Sequence, residues 1–246
     1  TAAGILLDYV ENTQKGKMPR IARPVKILSS QYMEIDAATR HNLDLLEGPR
    51  GSTLISVLDR TVSGAGARLL ANRLANPLLN VEKINARLDV VEFFLKHQEV
   101  REKLRTVLKS CPDIERAVSR LGVGRGGPRD LLSIGVTLGS LPKLITLIET
   151  FKPIDVVDEL PSAVAKVLQK FGNHAMLVNM LANALWVEDR NNELPLLARD
   201  GDFIKAGYSP ELDAVRDLKN KGHNYILNLQ SKYVQHTGIE HLKIKY

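Results

Sequence analysis

From residue 209 onward the apolar side chains fall in a single line: Leu212, Val215, Leu218, Gly222, Tyr225, Ile226, Leu229 and Tyr233. Steps of three and four residues keep such a line on one narrow face of an α-helix, and polar residues fill the rest of its circumference. Ser209 is a good N-cap, Pro210 suits the first helical position, and Glu211 places negative charge where the helix dipole favours it. The pattern predicts one helix of about 25 residues, a rod near 38 Å long with a single packing partner. A chain that must carry such a rod is predicted to be helical elsewhere as well.

The remaining periodicities agree. Ile84, Leu88, Val91 and Leu95, then Val100, Leu104, Val107 and Leu108, predict one long helix or two in sequence after Asn80. Asp36, Ser52 and Ser63 are candidate caps for three earlier helices, the first running to Leu46, and Pro128 opens a later one that continues to Phe151. Further helices are expected over 155–171 and from His174 to Trp186, with a short one around Ile114 to Leu121. Short strand-like patterns occur at Val25–Leu28, Tyr32–Ile35, Phe203–Ala206 and Leu242–Tyr246. The expected fold is mainly α: a multi-helical domain with a small mixed α/β N-terminal portion and a long C-terminal helix leading into a strand. Three parts follow, a linker over 1–24, a helical core over 25–208, and the rod with its strand over 209–246. The apolar pattern that starts almost at Thr1 and the alternating run that stops at Tyr246 predict a piece of a longer polypeptide.

The formal net charge is +6 and the pI about 9.4, a modest bias toward polyanions. It is sharpest near the end, where Lys219, Lys221, Lys232, Lys243 and Lys245 meet few acids. In a strand, Lys243 and Lys245 would share one side and could follow a phosphate backbone; an exposed face kept soluble by lysine is the plainer reading. One cysteine, Cys111, excludes an internal disulfide and a multi-cysteine zinc site. It is expected to be a small packed residue. No apolar run approaches the roughly 20 residues of a membrane span, and no membrane partner is expected.

Candidate chemistry is sparse. The segment Gly122-Val123-Gly124-Arg125-Gly126-Gly127 invites a phosphate-loop reading, yet it lacks a Gly-Lys-Ser/Thr ending and follows a helix, so it is predicted to be a helix-to-helix turn. The six histidines show no ligand spacing, Asp155, Asp158 and Glu159 suit a helix start, and Glu188, Asp189 and Arg190 suit a solvated helix exit. No catalytic or metal residue is assigned.

The order of several blocks carries more weight than any single motif. Tyr32-Met33-Glu34-Ile35-Asp36-Ala37-Ala38-Thr39-Arg40-His41-Asn42-Leu43 resembles the "IDAATRRNLEL" opening of the lever region in the MutS DNA mismatch repair family. Ser56–Thr61, Gly66–Leu70, Asp113–Arg116, Pro128–Leu131, Gly207–Asp213 and Thr237–Tyr246 follow in the family's order. The resemblance covers essentially the whole chain. It implies the end of a connector, a helical core, and an ascending lever helix through Leu212, Val215, Leu218, Tyr225, Ile226, Leu229 and Tyr233 into the first strand of a DNA clamp.

For the intact protein the resemblance implies a cytoplasmic, nucleoid-associated bacterial homodimer that encircles double-stranded DNA, a MutL-type partner, and an ATPase using ATP and Mg. This chain has neither a Phe-x-Glu wedge nor a Walker loop, so no enzyme activity and no cofactor are assigned to it. Its expected part is mechanical, with weak, sequence-independent DNA backbone contact at Lys232, Lys243 and Lys245. Without a descending partner helix, residues beyond Ser231 are expected to fray or to pair with another copy. The alternatives are a stand-alone helical scaffold that binds proteins, a nucleic-acid-processing enzyme with a dispersed site, and a MutS paralogue acting in recombination.

Overall fold

The computed structural model describes residues 1–14, 18, 21, 23, 31–48, 51–150, 159–185, 194–239 and 241–244, with the backbone alone at 220 and 223. The strand-like stretch Val25–Leu28, the carboxylates Asp155, Asp158, Glu188 and Asp189, and Trp186, Lys245 and Tyr246 lie outside these residues.

Among the described residues the secondary structure is helical: α1 (Ala2–Gln14), α2 (Ala37–Asn42), α3 (Leu54–Leu58), α4 (Gly64–Ala75), α5 (Val81–Lys96), α6 (Gln98–Ser110), α7 (Ile114–Gly122), α8 (Pro128–Glu149), α9 (Ser162–Leu168), α10 (Ala175–Ala184) and α11 (Pro210–Thr237). Local chemistry sets most of the starts. The side chains of Asp36, Ser63, Asn80, Asp113 and Ser209 each accept an orphan N–H three residues on, which is how short polar side chains cap helices.

Two early boundaries differ from the sequence expectation, and the choice between one helix and two after Asn80 is decided. Helix α2 stops at Asn42 rather than Leu46, because Asp44 takes φ +47 and turns the chain. Thr53, not Ser52, caps α3, and Ser56 returns the bond by accepting the Thr53 N–H at 3.0 Å. The pattern after Asn80 resolves into two helices broken at His97, whose ψ of 70 lies outside the helical range and interrupts the ladder while its ring packs 4.7 Å from that of Phe93.

The strand expectations also change. Tyr32 makes one isolated antiparallel bridge to Leu78, and Ile204 makes another to Leu185. Neither grows into a strand: each has one short neighbour, and Gly201 and Gly207, both at positive φ, confine the 203–206 stretch between turns. Residues 242–244 form no strand.

The core lies along α8. Its first half buries Ile134 against Ala117 of α7 and Leu181 of α10, with Leu185 and Leu194 completing the cluster. Its second half buries Leu144 against Leu104 and Val107 of α6. Helix α10 lies against this face: a Cβ on Gly135 or Gly139 would meet Leu181 or Val178 at 3.5 Å, an ordinary van der Waals contact. Truncating Ile134 or Leu181 to Ala would cost about 2–5 kcal/mol. By length and composition α8 is the one described helix apolar enough to cross a membrane, contrary to the reading from the sequence. It packs against α6, α7 and α10, burying Ile134 and Leu144.

Candidate functional site: the long helix and its base

Helix α11 begins where the strongest packing ends. Phe203 and Ile204 lie against the Ile134–Leu181 cluster, and the Ile204–Leu185 bridge is reinforced by the Lys205 N–H donating to the Ala184 carbonyl at 2.8 Å. The Lys205 ammonium donates to the Ala182 carbonyl at 2.7 Å. From the helix side, Arg216 Nη2 donates to the Ile204 carbonyl at 2.9 Å, and Asp213 accepts the Gly207 N–H at 2.6 Å. The first two turns of α11 are therefore tied at two places to the 204–207 segment, which is itself held against α10.

Beyond that joint the helix is bare. Val215, Leu218, Tyr225, Leu229 and Tyr233 are all exposed, while Leu212 at the base and Ile226 on the edge of the line are half-buried. The principal helix packings, α7 on α8, α10 on α8, α6 on α8, α5 on α6, α5 on α9 and α3 on α4, do not involve α11. The helix nonetheless runs unbroken through Ser231 to Thr237, so the expected fraying is not observed. Gly238, at φ +72, closes it with a left-handed cap, its N–H donating to the Val234 carbonyl at 2.8 Å. Its 28 residues correspond to about 42 Å.

Lys232 near the tip and Lys243 beyond it are exposed, and neither meets a carboxylate among the described residues. Lys221 is held by Asp217 at 3.1 Å. Residues 242–244 alternate half-buried, exposed and half-buried, with Lys243 on the exposed side, but they form no strand, and Lys245 lies outside the described residues.

The glycine-rich segment is the turn between α7 and α8, with Gly124 at φ +68 and the Arg125 N–H returning to the Arg120 carbonyl at 2.8 Å. A Cβ on Gly127 would lie 2.0 Å from the Leu196 carbonyl oxygen, so protein backbone fills the space a phosphate would need. Asp130 completes that turn by accepting the Gly127 N–H at 3.0 Å and pairing with Arg120. The Arg120 guanidinium, and then the Gly127 N–H, hold the Asp130 carboxyl below its ordinary range. Arg129 donates to the Leu194 carbonyl and pins the segment that leads toward α11. The described residues contain no group of three or more His, Cys, Asp or Glu placed to hold a metal ion. Cys111 is half-buried, its thiol donating to the Val107 carbonyl.

Sequence reasoning missed the polar joints. Arg68 of α4 grips Asp113 and Glu115 at the start of α7, and Arg120, Arg129 and Arg216 make the contacts given above. The available signal was the ordered blocks themselves, since Gly66–Leu70, Asp113–Arg116, Pro128–Leu131 and Gly207–Asp213 contain Arg68, Asp113, Glu115, Arg129, Asp130 and Asp213. Those blocks are joints between helices.

Comparison with known proteins agrees with this architecture. The family model for MutS domain III matches residues 38–236. Over its whole length the chain is 43% identical to the DNA mismatch repair protein MutS of Ruegeria pomeroyi, 41% to that of Dinoroseobacter shibae and 38% to that of Cereibacter sphaeroides. It spans 27% of the length of each of these relatives. A helical core matched from α2 almost to the end of α11, together with identity of this level across the entire chain, shows that the chain belongs to the MutS family and is built on its domain III.

Proposed function

We propose that this chain is the middle of a DNA mismatch repair protein and that α11 is its lever, carrying movement between an ATPase and a DNA clamp. The carrying observation is the contrast along α11: two ties in the first two turns, to a segment itself held on α10, then a continuous helix whose apolar line is exposed. A helix fixed at one end and unbroken to the other transmits the state of its base to its tip as a rigid-body movement. The relatives' names supply the process, mismatch repair.

In this reading the chain's own residues perform no catalysis. ATP and Mg act in the part of the intact protein outside these residues, as does recognition of the mismatch. The intact protein works in the bacterial cytoplasm, on the nucleoid, as a homodimer around double-stranded DNA and with a MutL-type partner. Lys232, Lys243 and Lys245 touch the phosphate backbone without reading sequence, because ammonium groups on phosphate position a protein but carry no base information.

The test is Tyr225→Pro in the intact protein. Proline in mid-helix removes a backbone bond and breaks the rod. ATP binding should persist while ATP-triggered release from DNA is lost; normal release would sink the lever reading. For the DNA contact, fluorescence anisotropy of the 246-residue chain should give weak binding, equal for matched and mismatched duplexes. Its logarithmic salt slope should be about −3 for three lysines, and a preference for the mismatch would refute the backbone-only assignment.

A further inference from the structure

Midway along α8 the sequence removes both bulk and a hydrogen-bond donor. Gly139 has no side chain, and Pro142, inside the helix, has no N–H, so the Leu138 carbonyl lacks the donor that the residue four positions on normally supplies. Leu138, Gly139 and Pro142 all line a cavity of about 580 Å³ between α8 and α10. Leu141 and Ile145 extend the α8 wall, Val178 belongs to the α10 wall, and Phe171 lines it from the connection between α9 and α10.

The chemistry of the walls selects a class of ligand. No Asp, Glu, Lys or Arg lines the cavity, so a charged molecule would give up its hydration and meet neither a carboxylate, an ammonium nor a guanidinium. Mostly apolar walls with a few polar groups to set orientation, around a volume of this size, are the composition of a small-molecule site. The polar groups here are the Leu138 carbonyl, the Thr146 hydroxyl and the exposed side chains of His174 and Asn179. The α8 wall from Leu138 to Thr146 is about 12 Å long, which matches a small molecule and is too short for a helical seam. The other cavity with polar walls, about 320 Å³ beside α5, is lined instead by Asp89, Glu92, Lys96 and Glu159.

We infer that the cavity between α8 and α10 binds a small, uncharged, mainly apolar organic molecule carrying one N–H or O–H donor, its ring against Leu141, Ile145, Phe171 and Val178 and its donor to the Leu138 carbonyl. The inference does not rest on the lever role of α11. Its effect is to brace α10 against α8, and α10 leads directly into Leu185, which carries the bridge to Ile204.

The probe is indole, an uncharged bicycle with one N–H, titrated into the 246-residue chain with isotope-labelled Ile, Leu and Val methyl groups and followed by two-dimensional NMR. The methyls of Leu141, Ile145 and Val178 should shift and saturate with a Kd of about 1 mM or below, while those of Leu104 and Val107 stay in place. 1-Methylindole, similar in shape but without the donor, should bind at least about threefold more weakly. Asn179→Trp, which puts an indole ring of the protein's own at the cavity, should abolish the shifts. Met176→Trp, on the same helix but 88% exposed and outside the lining, should preserve them. The parent chain decides the matter even if Asn179→Trp does not fold. Absence of saturable shifts at Ile145 and Val178, or unsaturated shifts of equal size throughout the core, would overturn the proposal. Equal affinity for the two indoles would overturn the role of the Leu138 carbonyl and with it the donor-bearing class.

Discussion

Arg68 holds Asp113 with both arms of its guanidinium, Nη1 to Oδ2 at 2.6 Å and Nη2 to Oδ1 at 2.9 Å. Asp113 is also the cap of α7, accepting the Arg116 N–H at 3.2 Å, so one carboxylate both starts a helix and fastens it to α4, 45 residues earlier. A planar fork matched to a carboxylate is a geometry lysine cannot reproduce. Arg68→Lys should therefore lower the melting temperature by about 2–4 °C, and Asp113→Ala, which removes fork and cap together, by more. Calorimetry of the chain checks the order; equal melting for Arg68→Lys and the parent would refute the role of the fork.

Acid should expose the same pair. The Arg68 hydrogen bonds, and then the Arg116 N–H, hold the Asp113 carboxyl at about 2, against 3.8 for an unperturbed aspartate. The folded state then binds its proton later than the unfolded state does. The stabilisation is complete above about pH 4 and is lost as the pH falls from there toward 2. Asp130, lowered by Arg120, acts in the same direction. Asp113→Asn should weaken stability at neutral pH and make the acid limb shallower by up to one proton. Denaturant melts at pH 3 and pH 7 measure this, and parallel acid limbs would refute it.

Gly127 and Gly122 should respond oppositely to the same change. Gly127→Ala drives a methyl into the Leu196 carbonyl, which is backbone and cannot swing aside, at a cost of about 1–3 kcal/mol. Gly122, at the end of α7, has no atom within 4 Å of a built Cβ. Gly122→Ala should be neutral or stabilise by about 0.5 kcal/mol, because alanine loses less freedom on entering a helix. Urea melts of the two variants give the comparison, and a neutral Gly127→Ala would contradict the close approach of α8 to the 194–197 segment.

Removing the tie at the base of α11 should loosen its first turns without melting the core. In Arg216→Ala the Ile204 carbonyl loses its guanidinium partner. Backbone amides over 210–218 should then exchange with solvent about tenfold faster, while those of α8 are unchanged. Hydrogen exchange read by mass spectrometry tests this; protection lost equally in both helices would mean that the tie is part of the global fold.

Helices were legible in the sequence where periodicity and a cap coincided, as at Ser63 and Ser209–Pro210. Strands were not, because short alternating runs such as Phe203–Ala206 specify an extended backbone but not a neighbour to pair with. The break at His97 left no local mark: no proline or glycine stands there, and the turn is held by packing with Phe93. Lys232 and Lys243 could be picked out as basic, but the alternation that would have aligned Lys243 with Lys245 depended on a sheet that residues 242–244 do not form. The joints at Arg68, Arg120, Arg129 and Arg216 join positions far apart in the chain or reach backbone carbonyls, for which charge spacing gives no signal. Arg68 and Arg129, with the partners Asp113, Glu115, Asp130 and Asp213, lay inside the blocks that carry the family resemblance, whereas Arg120 and Arg216 did not.

Under the lever role proposed for α11, its length beyond its ties is mechanical gain. For a straight rod of about 42 Å, each degree of tilt at the base sweeps the far end through roughly 0.7 Å. A tilt of about 5°, small enough for side chains at the joint to follow without repacking, displaces Thr237 by almost 4 Å, more than the length of a hydrogen bond. A change too small to disturb the Ile204–Arg216 contact is thus large enough at the other end to make or break an entire set of contacts.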